Sequence, residues 1–199
     1  MDSIPAILTI GHSRHPLERF IALLEGAGAT AIADIRSAPV SRFSSHFNKS
    51  ALAASLGARN IFYVFLGKEL GGRPEQPAMY TEDVADYEKM AASPDFHAGL
   101  ARLMEAAEGH RMALMCAEAD PLDCHRCLLA GRALAEAGIA VEHILASGQI
   151  VTHAQVEERL LDLANLGEAD LLRRSRAARL AEAYRLRSRK AAFVRRRQA

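Results

Sequence analysis

Apolar runs of strand length alternate along this chain with stretches whose apolar residues recur at helical spacing. The first run, AILTI (6–10), is closed by Gly11 and followed by HPLERFIALLEGAG, with Pro16 in its first turn. Runs at 31–35 (AIADI), 61–66 (IFYVFL), 111–116 (RMALMC) and 141–145 (VEHIL) predict further strands. Between them, NKSALAASLGA predicts a short helix capped near Asn48, and helices are predicted to begin at Thr81 and at Ser93, the latter with Pro94 in its first position. PLDCHRCLLAGRALAEAG predicts another, closed by Gly138, and THAQ from Thr152 reads as a capping box opening one more. Repeated βα units predict an α/β fold: a single domain with a mostly parallel open sheet of about five strands and helices on both faces.

Half of the 199 residues are apolar, enough for one good core. No apolar run is long enough to span a bilayer, and the acidic start MDSIPAILTIGHS lacks the basic flank of a signal peptide. Three cysteines, an odd count, fit thiols or metal ligands in a reducing cytoplasm better than a disulfide framework. The net charge of +1 conceals an asymmetry: residues 171–199 hold eleven Lys and Arg against one acid, Glu182. The first 170 residues therefore carry 14 basic and 23 acidic side chains. This divides the chain into an α/β body (1–150), a capping helix (151–170) and an Arg-rich helical or disordered tail (171–199). Arg173, Arg174, Arg176, Arg195, Arg196 and Arg197 of the tail would suit nucleic acid or another polyanion. The competing reading is a partly helical extension that folds back on the acidic body.

In an open parallel sheet, ligands bind in the crevice beyond the carboxyl ends of the strands, and the polar residues collect there. GHSRH follows the first strand, DIRSAPVSRF the second, LGKELGGRP the third and CAEADPLDCHR the fourth. The last stretch, extended to Cys127, holds every cysteine of the chain. Asp120 is a good helix cap, Pro121 suits the first helical position, and Cys124 and His125 then fall near a helix N-terminus, which lowers a thiol's pKa. Asp123 and Glu118 act the other way. Cys127, followed by LLAG, reads as a buried small hydrophobe. Neither a P-loop nor a G-x-G-x-x-G fingerprint is present, so nothing points to ATP or NAD.

TIGHS (9–13), DIRSAPVSRF (34–43), HFN (46–48), LGKELGGRP (66–74) and CAEADPLDCHR (116–126) resemble, in order, segments of the bacterial domain-of-unknown-function family 488. The resemblance covers roughly the first 145 residues. It implies one α/β domain whose motifs gather at one site, comprising His12, Ser13, Asp34, Arg36, Cys116, Glu118, Cys124, His125 and Arg126. Cys127 is outside that pattern, which weakens a C-x-x-C redox reading. The Arg-rich tail is outside it too.

Two functions compete. As an enzyme on a phosphate-bearing or otherwise anionic substrate, with a nucleotide or nucleic-acid component among the options, the protein would use Cys124 or Cys116 as nucleophile. His125 or His12 would be the acid or base, Glu118 a neighbouring carboxylate, and Arg36, Arg42, Arg73 and Arg126 a charge clamp. As a non-catalytic protein it would bind nucleic acid through the tail, or Zn or Fe through Cys116, Cys124, His125 and His12. C-x₇-C-H is not a recognised zinc spacing. Asp34 and Arg36 have an ion-pair reading as well as a ligand reading, and His97, His110, His143 and His153 read as ordinary. Phe43 and Phe47 are expected to pack their loop onto the core.

Overall fold

The structure is a computed structural model that describes residues 6–167 and 174–195. In chain order its elements are β1 (Ile7–Gly11), α1 (Leu17–Gly26), β2 (Ala31–Asp34), α2 (Lys49–Gly57), β3 (Phe62–Phe65) and a hairpin of β4 (Tyr80–Thr81) with β5 (Val84–Ala85). Then come α3 (Tyr87–Ala91), α4 (Pro94–Ala107), β6 (Met112–Cys116) and a helix that is π-wound over Arg126–Gly131 before α5 (Arg132–Glu136). β7 (Val141–Ile144), β8 (Ile150–Thr152), α6 (His153–Leu163) and α7 (Arg176–Ala191) complete it. The main sheet runs β3-β2-β6-β1-β7-β8, parallel except for β8.

Both faces of the central strands are covered, which is why β1 and β6 read as unbroken apolar runs. Residues of α1 and α2 pack with Leu8, Ile10, Ile32 and Met115 on one face. Residues of α3, α4, α5, α6 and α7 pack with Ile7, Ala33, Leu114 and Val141 on the other. The chain leaves β1 over the first face toward β2 and leaves β6 over the second toward β7. These two strands are neighbours, Gly11 lying opposite Cys116. Their outgoing connections therefore diverge, and a crevice opens between their carboxyl ends.

The predicted parallel strands and helix-covered faces are present, with boundaries displaced by a residue or two. Three local expectations fail. No helix begins at Thr81: Glu82 and Asp83, with φ 50 and 64, make a two-residue hairpin turn, and Asp86 caps α3 instead by accepting from the Glu88 and Lys89 N–H groups. The helix expected from Pro121 is interrupted at Cys124, whose backbone is extended. β8 adds an antiparallel edge strand that the apolar pattern does not predict. The Thr152–Gln155 capping box is present as read.

The described part of the tail folds back on the acidic body. Arg176 pairs with Glu157 and Glu158, Arg187 with Asp123, Arg189 with Glu82 and Arg195 with Asp83. Arg174 pairs with Glu182, while Arg173, Arg196 and Arg197 lie outside the described residues. A buried polar chain ties α7 to the sheet. Tyr184 donates to Glu157 at 3.2 Å, so its oxygen accepts from His153 Nε2 at 2.8 Å. His153 Nδ1 must then accept from His143 Nε2 at 3.0 Å, and His143 Nδ1 from the Thr9 hydroxyl at 2.7 Å. One donor thus fixes the tautomer of both histidines.

Candidate functional site

Cys116 ends β6 and faces the crevice, and the chain returns to it through the loop that follows. Asp120 caps a short 3₁₀ turn, Pro121–Asp123, by accepting from the Leu122 N–H. Cys124 then caps the π-wound turn: its carbonyl accepts from the Cys127 and Leu128 N–H groups, and its sulfur from the Arg126 N–H at 3.4 Å. The thiol does sit at a helix N-terminus, but that helix starts after Cys124 rather than at Pro121. Glu118 reaches in from the rim, its Oε2 2.9 Å from Cys116 Sγ and 3.0 Å from Cys124 Sγ.

His125 closes the cluster. Its Nε2 donates to the Ile35 carbonyl at 2.9 Å, and its Nδ1 lies 3.6 Å from Cys116 Sγ and 3.8 Å from Cys124 Sγ. Two glycines make this approach feasible. A Cβ on Gly11 would lie 1.8 Å from the Glu118 carbonyl oxygen, and one on Gly72 would lie 2.8 Å from the His125 ring. The Gly-rich GGRP stretch therefore serves close packing against His125.

The electrostatics of the two crevice-facing sulfurs diverge. Burial raises both thiols. For Cys124 the hydrogen bond from Cys116 and the charges of His125 and Arg126 outweigh it and hold the thiol well below its ordinary value. Cys116, buried and hydrogen-bonded to that sulfur, is pushed well above. Burial and the charge on Cys124 raise Glu118. Burial would lower His125, but Cys124 outweighs it and raises the imidazole. Cys127, fully buried behind the cluster, is pushed up by desolvation and is the inert hydrophobe its sequence context suggests.

Beside the cluster lies a second network. Asp34 is fully buried and accepts from Arg36 Nε (2.9 Å), Arg36 Nη2 (2.7 Å), the Arg36 N–H (3.1 Å) and the Tyr63 hydroxyl (2.7 Å). Arg36 also donates to the Phe47 carbonyl at 2.7 Å and, through Nη1, to His12 Nε2 at 3.3 Å. His12 Nδ1 donates to the Ser13 carbonyl, and burial with the Arg36 charge lowers the imidazole to about 4. His12 is thus a neutral acceptor locked in this network. Both readings of the Asp34–Arg36 pair meet here, because it is an ion pair and Arg36 also lines the cavity.

That cavity has a volume of about 160 Å³, close to an engineered cavity that admits a benzene-sized guest. Cys116, Glu118, Cys124 and His125 line it, with Arg36 and Arg73 as its cations. His12, Ser13, Asp34, Arg42 and Arg126 do not line it. Arg42 is exposed on its loop, and Arg126 is buried, donating to the Glu118 and Ala119 carbonyls at 2.6 and 2.8 Å. Sequence reasoning missed Ser37, Tyr87 and, from the segment at the end of α7, Ala191 and Phe193. The Arg73 guanidinium lies 4.9 Å over the Phe193 ring, fixing a cation at the mouth. Phe47 is core and stacks on His12, whereas Phe43 is exposed.

Among the described residues two side-chain groups bring metal-capable atoms within 4.8 Å of one another: Cys116, Glu118, Cys124 and His125 in the crevice, and Cys127, His143 and His153 behind it. No described helix is long and apolar enough to cross a membrane. A family model described as domain of unknown function DUF488 matches residues 16–133. No curated protein matches the chain. No solved structure matches it.

Proposed function

Because this chain belongs to the DUF488 family, which is defined by sequence and not by a reaction, we propose its activity from the site: an enzyme acting on a small oxyanion-bearing substrate, phosphate or carboxylate, in the cytoplasm. The observation that carries this reading is one cavity shared by Cys116, Glu118, Cys124, His125 and the guanidinium groups of Arg36 and Arg73, at the crevice where the connections of β1 and β6 diverge. The sulfur, carboxylate and imidazole supply the reactive floor. Arg73 is exposed and free of any carboxylate partner among the described ion pairs, so it is the cation best able to meet the anion.

The volume admits a small molecule, or the reacting end of a larger one. Arg176, Arg187, Arg189 and Arg195 are already paired with body carboxylates, which favours the cavity over the tail as the seat of the anion. The test is calorimetric titration with inorganic phosphate and with small carboxylates, followed by a turnover screen across phosphate and carboxylate esters. Arg73→Ala should weaken anion binding about 10–100-fold, the loss of one charge-assisted contact, and Cys124→Ser should abolish turnover. Unchanged binding in the first variant and unchanged turnover in the second would discard the reading.

A further inference from the structure

We propose that Cys116, Glu118, Cys124 and His125 form a binding site for a divalent ion of borderline softness, Zn²⁺ or Fe²⁺, which makes the reactive floor of the cavity a metal centre. This deepens the enzyme reading above and rests on it for the identity of the pocket.

The spacing of the imidazole and the two sulfurs suits such an ion. With metal–sulfur and metal–nitrogen bonds of about 2.3 and 2.0–2.1 Å, a tetrahedral site has sulfur-to-nitrogen edges of about 3.6 Å. The observed edges from His125 Nδ1 to the two sulfurs are 3.6 and 3.8 Å. His125 has the outer contact typical of a ligating imidazole. Its far nitrogen donates to the Ile35 carbonyl, which fixes the tautomer with a lone pair on Nδ1; Cys116 Sγ lies beside the ring, 3.9 Å from that far nitrogen, and must swing toward the lone pair when an ion enters. The Arg126 N–H points at Cys124 Sγ, and the Arg126 side chain is buried under the loop, where its charge offsets an anionic ligand set.

Glu118 Oε2 is 2.9 and 3.0 Å from the sulfurs, shorter than a tetrahedral sulfur-to-oxygen edge of about 3.5 Å. The carboxylate must therefore withdraw slightly when an ion enters. Reaching in from the rim, it is also the ligand that substrate or water can displace, leaving the open position a catalytic centre requires.

The buried group of Cys127, His143 and His153 differs in the feature that matters. Every ring nitrogen there already has a partner in the chain from Thr9 to Glu157, so an ion would have to break the His143–His153 hydrogen bond. That contrast supplies the control.

The experiment uses the full chain. Metal content is measured after purification without added metal, and the chelator-stripped protein is titrated with Co²⁺. One equivalent should bind with a thiolate-to-cobalt charge-transfer band in the near ultraviolet. Cys116→Ser and Cys124→Ser should each lose about half of that band or all binding. Glu118→Gln should keep the band and weaken affinity at least about tenfold. Cys127→Ser should match the parent chain, and circular dichroism establishes that each variant is folded. A folded parent chain that gives no thiolate band overturns the inference, as does a band lost only in Cys127→Ser. Stripped protein that keeps full turnover also overturns it while leaving the anion-binding enzyme intact, and points to Cys124 as a free nucleophile. Loss of the phosphate response alone would count against the enzyme reading and not the metal.

Discussion

Replacing Asp34 with asparagine tests whether the crevice is held open by a charge or merely by shape. The substitution keeps volume but removes the negative charge and turns one acceptor into an NH₂. Each carboxylate oxygen now receives two donors: Oδ1 the Arg36 Nε and N–H, Oδ2 Arg36 Nη2 and the Tyr63 hydroxyl. An amide nitrogen at either position would face two donors. Arg36 would keep the Phe47 carbonyl and His12 Nε2, and would stay buried without its counter-ion. Breaking a buried pair from one side costs about 3–5 kcal/mol, and the two surviving acceptors favour the low end, about 3 kcal/mol. For a chain of this size that is a fall in Tm of roughly 6–12 °C. The assay is urea unfolding, in which the midpoint should drop with the slope unchanged. Arg36→Met added to the Asp34→Asn variant should then cost less than in the parent, with a coupling of about 1–3 kcal/mol. A single-substitution cost under about 1 kcal/mol, or strict additivity in the cycle, would refute the claim that charge pairing holds Arg36 at the cavity wall.

Three further outcomes are expected. Burial lowers His143 and His153, so the unfolded chain binds more protons as pH falls; urea midpoints should be level above about pH 6.5 and decline below it, and His153→Gln should flatten the decline. Tyr184→Phe strands the His153 Nε2–H in the interior and should cost about 1–3 kcal/mol in the same assay, whereas a change below about 0.5 kcal/mol would contradict the assigned direction of the chain. Gly72→Ala drives a methyl into the His125 ring and should cost about 1–3 kcal/mol while reducing turnover, measured side by side on the purified variant.

Much of this was legible because parallel strands here carry apolar runs, continuous in the central β1 and β6 and recognisable in β2, β7 and the edge strand β3, and the polar loops after them marked the crevice. Cys116, Glu118, Cys124 and His125 stood out as residue types, but their mutual distances depend on an extended residue at 124 that PLDCHRC does not advertise. Thr81-Glu82-Asp83 has the composition of a helix start, and only tertiary pairing of β4 with β5 and of Val84 with Val194 turns it into a hairpin. Tyr87 and Phe193 reach the cavity from outside the motifs and leave no local mark. His143 and His153 looked ordinary because their partnership runs through Thr9 and Tyr184, far off in sequence.

The match to the family ends at residue 133, yet Ala191 and Phe193 line the cavity from the far end of the chain. The cavity wall is thus assembled from two separate stretches of polypeptide, with the floor and Arg73 in the first and Ala191 and Phe193 in the second. Changes confined to the last twenty-odd residues could reshape which molecules are admitted while every cysteine, histidine and acid of the floor stays as it is, a short evolutionary route to new preferences.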